Sequence, residues 1–180
     1  SSVIMLYPYG PNWSTNYPKQ IFIDYLHDTF AKHKVSKNRV IVLDPQPVPD
    51  RYGIREFLRV ADVYLDSFPF SGRTSFIEPL EVGIPIVTWR GKAFRTSMGA
   101  ALLKAINLDE LIANTDLEYS EIAMKLGNNP DYRARLAKLI KQIMQGCPSF
   151  LNSHRYSTEV EGLFKKIASV QCNNNNTADK

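Results

Sequence analysis

The sequence predicts an α/β fold, a parallel sheet covered by helices on both sides, and three observations carry the prediction. Apolar runs at 3–6 (VIML), 39–43 (RVIVL), 61–66 (ADVYLD) and 84–89 (IPIVTW) alternate with stretches of helical period. These runs are continuous rather than alternating, which suits strands buried on both faces. Strands separated by helices run parallel, because each helix carries the chain back across the sheet.

In chain order, the run at 3–6 is stopped by YPYGPNW, a loop. A helix follows in which Ile21, Phe22, Tyr25, Leu26 and Phe30 recur at spacings of three and four, with Pro18 tolerated in its first turn. After the second strand, 52–60 reads as helix with Asp50 as its cap. Helix over 74–82, strand over 84–89 and helix over 94–106 continue the alternation. Beyond Leu108 a short LIA segment is followed by three helical stretches and no convincing strand. Their stripes are Tyr119, Ile122, Ala123 and Leu126; then Tyr132, Leu136, Leu139, Ile140 and Ile143; then Tyr156, Val160, Leu163, Phe164 and Ile167.

At 180 residues and 44% hydrophobic content the chain buries a real core and is short for two ordinary domains, so a single domain over 1–170 is expected. The Asn-rich, polar 171–180 reads as a disordered tail. Lys and Arg exceed Asp and Glu by 22 to 18 with no long basic block, too diffuse for a nucleic-acid surface. Cys147 and Cys172 have no metal-ligand spacing and fit a reducing, cytoplasmic compartment. Neither a signal peptide nor a membrane span is read in the sequence. His27, His33 and His154 lack partners at useful spacing, so no metal site is predicted.

In parallel sheets ligands bind beyond the carboxyl ends of the strands, which directs attention to YPYGPNW, DPQPVPDRY and SFPFSGRTS. The last, over 67–75, has the strongest chemistry. A helix N-terminus offers unpaired amides and partial positive charge to a phosphate. Gly72 lets the backbone approach, Arg73 brings a fork of donors, and Thr74 and Ser75 add hydroxyls. Glu78, one turn on, repels phosphate but accepts from ribose hydroxyls. A purely structural reading stands beside this one: Ser75-Phe76-Ile77-Glu78 matches the S-x-x-E capping box, which satisfies the same amides internally. Pro79 argues for an irregular helix start, since it lacks an amide that an ordinary first turn uses. Neither the dinucleotide fingerprint nor the P-loop is present. Arg90, Lys92 and Arg95 read as a solvated loop before an enlarged positive pocket, and Tyr7, Tyr9 and Trp13 as core cover before a base-stacking surface.

The run from ADVYLDSFPFSGRTSFIEP through GIPIVTW, on to LDELIANTDLEYSEIAMKLGNN, resembles the C-terminal catalytic lobe of the O-linked N-acetylglucosamine transferase family, glycosyltransferase family 41-like, of the bacterial type with tetratricopeptide repeats upstream. The resemblance covers about 3–165. It implies the C-terminal lobe of a GT-B fold, Rossmann-like and lacking its first strand-helix unit, so that the strand the family places between 3–6 and 61–66 is missing. It also implies a last helix that packs loosely, because in GT-B enzymes that helix crosses to the other lobe. Residue by residue, the diphosphate-binding His-Thr-Thr falls on Arg73, Thr74 and Ser75, and the ribose-binding Asp on Glu78. The base-contacting loop maps to about 48–52, including Pro49 and Arg51, where this sequence carries extra residues. The expected parent activity is inverting transfer of GlcNAc or a hexose from a UDP-sugar to protein Ser or Thr. No metal is expected, the acceptor is held by parts outside this chain, and no catalytic residue lies within it. Two rivals remain: an asparagine glucosyltransferase of the adhesin-modifying type, and a non-catalytic nucleotide-binding or interaction module.

Overall fold

The structure is a computed structural model that describes residues 2–7, 19–43 and 49–175, with the backbone alone for 170–175. The chain groups into two compact units, Ser1–Glu56 and Phe57–Lys180, where the sequence reading expects one domain. Among the described residues the strands form two parallel ladders, one in each unit.

In the first unit β1 (Ile4–Leu6) lies parallel to β2 (Val40–Val42), with Ile4 opposite Val40. The Arg39 guanidinium donates to the Ser2 carbonyl at 2.7 Å, tying the two strand starts together. Between them runs α1 (Lys19–Lys32), and after them α2 (Arg51–Leu58), whose first turn is capped as expected by Asp50 accepting from the Gly53 amide at 2.8 Å. Two expectations change here. The strands are not buried on both faces, for Ile4 and Ile41, which lie on opposite faces, are exposed while Val40 is buried, as a small two-stranded ladder has little surface to cover it. In α1 the covered stripe is Phe22, Ile23, Leu26 and Phe30, leaving Ile21 and Tyr25 exposed, because a helix against a small ladder hides only a narrow arc.

The second unit holds the main core. Its ladder runs β3 (Tyr64–Leu65), β4 (Ile86–Trp89), β5 (Ile112–Ala113), all parallel. The expectation that no strand follows Leu108 is corrected by β5: the LIA segment ends in two residues that pair with Thr88 and Trp89, a run too short for periodicity to register. Central β4 is buried at Ile86, Val87 and Thr88, with α4 (Met98–Ala105) and α5 (Asp116–Asn128) packed against it. Thr115 caps α5 by accepting from the Glu118 amide, and Asn129 caps α6 (Pro130–Gln145) by accepting from the Tyr132 amide, with Pro130 in the first turn where its missing amide costs nothing. Between β3 and β4, α3 (Ile77–Val82) ends on Gly83, whose φ of 85° is the left-handed cap that glycine adopts without strain.

Phe76, Leu80, Ile86, Val87, Leu103, Leu111, Leu126 and Ile140 pack into one fully buried cluster, with Tyr119, Ile122 and Ala123 along its margin. Of the expected stripes, that of α5 faces this cluster as read, and that of α6 does so except at Leu139, which is exposed. The last helix, α7 (Ser153–Asn175), leaves Tyr156, Leu163, Phe164 and Ile167 exposed, and it continues five residues into the segment expected to be disordered. Residues 176–180 lie outside those described. No helix among the described residues is long and apolar enough to cross a membrane.

Candidate functional site

The SGRTS turn follows β3 a few residues on, and its shape is set by a carboxylate, Asp66, that is not among the candidate site residues read from the sequence. Asp66 is 6% exposed. Its Oδ2 accepts from the hydroxyls of Ser71 and Thr88, each at 2.6 Å, and its Oδ1 accepts from the Gly72 amide at 2.8 Å. The Asp66 carbonyl in turn accepts from the Tyr119 hydroxyl at 2.8 Å. Ser71 extends the network, since its hydroxyl accepts from the Gly99 amide at 2.9 Å and its own amide donates to the Arg95 carbonyl. The turn is therefore bound to β4, to α5 and to the start of α4. Sequence offered a signal for Asp66 in a strand-terminal aspartate five and six residues before Ser-Gly, but only the fold shows that all its partners are donors.

Burial is the largest influence on Asp66 and pushes its carboxyl above the ordinary aspartate value of 3.8, against the opposing bonds from Ser71, Thr88, Gly72 and the Ser67 backbone. The folded chain thus holds this proton more tightly than the unfolded chain does. Its contribution to stability is greatest below the ordinary value and is lost as pH rises through the raised one. We expect urea midpoints to fall with rising pH across that acid window and Asp66→Asn to remove the increment; an identical pH slope in the variant assigns the effect to other groups. Burial also raises the Tyr119 phenol, with the Asp66 and Tyr64 charges adding to it, so Tyr119 remains a hydrogen donor to the turn.

Beyond Gly72 the chain enters a 3-10 turn, Thr74–Phe76, before α3 begins, the irregular start that Pro79 implied. Neither residue at the two helix starts, Arg73 or Phe76, makes a side-chain cap. Burial raises the pKa of the nearby Tyr64 phenol, an effect that the Ser75 hydroxyl partly offsets. Arg73, Thr74 and Ser75 are all exposed. The turn's backbone bonds begin with the Phe76 amide, which donates to the Arg73 carbonyl, so the amides just before it face no carbonyl of the turn. Gly72 has a different occupation from the one its flexibility suggested: a Cβ there would sit 2.5 Å from the Phe76 ring, and its amide is held by Asp66. Glu78 is half-buried on the first turn of α3, near enough for its charge to act on the Tyr64 phenol.

Around the turn, Phe68 stacks on Trp89 with ring centroids 4.0 Å apart, while Phe70 and Phe94 are exposed. Of the cations after β4, Arg90 donates to Asn114 Oδ1 at 2.6 Å, and Lys92 and Arg95 are exposed. Pro49 and Arg51 belong to the first unit, where Pro49 is half-buried against Gly53 and Arg51 opens α2 with its side chain exposed. Tyr9, Trp13 and most of the DPQPVPD loop lie outside the described residues. Of the histidines, His27 is half-buried on α1, His33 follows α1 exposed, and His154 is exposed in the first turn of α7.

Known proteins place this turn in a wider setting. The profile of Glycosyl transferase family 41 matches residues 8–160. A protein of Solanum lycopersicum named as a probable UDP-N-acetylglucosamine–peptide N-acetylglucosaminyltransferase SPINDLY is 28% identical over 111 residues, which are 62% of this chain and 12% of that protein. A UDP-N-acetylglucosamine–peptide N-acetylglucosaminyltransferase of Caenorhabditis elegans is 33% identical over 78 residues, 43% of this chain and 7% of its own. Among solved structures, a mutant of Thermobaculum terrenum O-GlcNAc transferase superposes with a TM-score of 0.69 at 28% identity, covering 81% of this chain and 27% of the other. The chain thus spans a small part of each relative's length, with the fold of a partial lobe of the bacterial enzyme. A family profile that runs through both units and across the whole Asp66-organised turn leaves one assignment: the chain belongs to glycosyl transferase family 41.

Proposed function

We propose that this chain is the donor-binding lobe of an inverting glycosyltransferase, in which the turn over 72–75 receives the diphosphate of a UDP-sugar and Glu78 accepts from its ribose. The observation that carries this reading is the uncapped 3-10 start of α3 at the carboxyl end of β3, with Arg73 and Thr74 exposed on it. An uncapped helix start next to a permanently charged guanidinium suits a diphosphate, and it is what a capping box would have removed. Arg73 supplies positive charge at the leaving diphosphate, so the reading calls for no metal. The relatives' names support GlcNAc as the sugar and a peptide as the acceptor. The acceptor and the reacting groups then lie in parts of the enzyme beyond this lobe, and the whole acts on cytoplasmic protein. Pro49 and Arg51 are assigned to the uracil side of the donor by the family pattern alone.

Calorimetry of the full-length protein with UDP tests the reading. Arg73→Ala is expected to weaken UDP binding by about 1.5 to 3 kcal/mol, the range of a charge-assisted hydrogen bond, with the loss shrinking as salt rises. Glu78→Gln is expected to weaken UDP more than 2′,3′-dideoxy-UDP. UDP affinities equal to the wild type in both variants would reduce the turn to a structural element.

A further inference from the structure

We propose that Asp66 is a positioning residue for the anion-receiving turn, fixing which amides and which side chain the turn presents; this rests on the reading of that turn as a diphosphate site. Asp66 is too buried to touch a ligand, yet it engages the turn directly. Its Oδ1 draws the Gly72 amide inward at 2.8 Å, so the chain presents Arg73 and the residues after it on the open side. Its Oδ2 holds Ser71, and Ser71 accepts from the Gly99 amide, so that the turn is fixed against α4 as well as β4.

The chemistry demands a carboxylate. The hydroxyls of Ser71 and Thr88 and the amide of Gly72 all donate to it, and two carboxylate oxygens can accept from all three. An asparagine at this place has a single acceptor oxygen and turns its NH2 toward the Ser71 and Thr88 hydroxyls, which must then reverse and accept from it, although Ser71 already accepts from the Gly99 amide. The consequence is local: the anchor of Ser71 is rearranged with almost no change in size, and with it the angle at which Arg73 leaves the turn. A buried negative charge near a diphosphate opposes binding through space, so an effect of charge alone would make Asp66→Asn bind UDP more tightly. Positioning predicts the reverse sign.

The test is a double-mutant cycle in the full-length protein, read by calorimetric titration with UDP at a temperature where circular dichroism shows every variant folded. Asp66→Asn is expected to weaken UDP binding about tenfold, the equivalent of one charge-assisted hydrogen bond. Asp66→Asn combined with Arg73→Ala is expected to lose much less than the product of the two single effects, because an Arg73 that is already misplaced has little left to lose. A general loss of stability would not produce that coupling. Should Asp66→Asn not fold, Ser71→Ala, which keeps the carboxylate and cuts the link, replaces it with the same expected coupling. Wild-type or tighter UDP binding by Asp66→Asn, or two effects that simply multiply, overturns the proposal. If Arg73→Ala binds UDP as the wild type does, the diphosphate reading itself fails and this proposal with it; a weakened Arg73→Ala beside an unaffected Asp66→Asn sinks the positioning role alone.

Discussion

Phe76→Ala is expected to destabilise the chain by about 3 to 5 kcal/mol, the range for removing a large aromatic side chain from a closed core. Phe76 is 0% exposed and belongs to the second unit's buried cluster, with its ring edge-on to Tyr64 at 5.8 Å between centroids. Two glycines make room for it: a Cβ on Gly72 would lie 2.5 Å from one edge of the ring, and a Cβ on Gly99 would lie 2.5 Å from another. Truncation leaves a cavity that the rigid strand β4 and the turn cannot close. Urea denaturation followed by tryptophan fluorescence measures the loss, and Phe76→Leu, which keeps most of the apolar volume, is expected to cost less than Phe76→Ala. A loss below about 1 kcal/mol, the level of ordinary surface changes, would show that the ring does not fill the core as described.

Gly99→Val is expected to cost stability at the upper end of the roughly 1 to 3 kcal/mol that overpacking brings. The added Cβ would approach the Phe76 ring to 2.5 Å and the Ser71 hydroxyl to 2.6 Å, and neither can retreat. Phe76 is enclosed by the core, and Ser71 is held by Asp66 on one side and by the Gly99 amide on the other. The second consequence separates this position from an ordinary core clash. Pushing Ser71 away disturbs the turn, so UDP affinity is expected to fall together with stability in Gly99→Val, whereas Phe76→Leu lowers stability while keeping the Ser71 to Asp66 bond. Thermal melts and UDP titrations on the same preparations check both. A Gly99→Val protein as stable as the wild type would mean that α4 begins farther from the turn than these contacts place it.

Much of the second unit was legible because its strongest signals are local. The alternation of apolar runs and helical stripes gave the parallel α/β class, the stripe of α5 faces the core as read, and Pro79 announced a helix start that is indeed 3-10 before it is α. The short strand β5 escaped because two residues carry no period, and their pairing with Thr88 and Trp89 is a property of the sheet. The stripe of α1 was assigned a wider arc than its unit covers, since sequence shows which residues are apolar and not how much surface there is to hide them. The S-x-x-E pattern at Ser75 was ambiguous for a similar reason. A capping serine and a serine on an uncapped turn are the same letter, and only the fold shows helix starts without a side-chain cap.

By itself the sequence determined the class of fold and the residue types on the exposed face of the candidate turn: a guanidinium and hydroxyls ahead of a helix. These follow from periodicity and from the short-range chemistry of a few adjacent residues, which the chain carries wherever it folds. Tertiary structure alone decided how that turn is held. Asp66 meets Ser71, Gly72 and Thr88 across as many as 22 positions, Ser71 meets Gly99 across 28, and Tyr119 reaches Asp66 across 53. A hydrogen bond is satisfied by distance and angle in space, and a buried carboxylate takes whichever donors the packing of β4, α4 and α5 delivers to it.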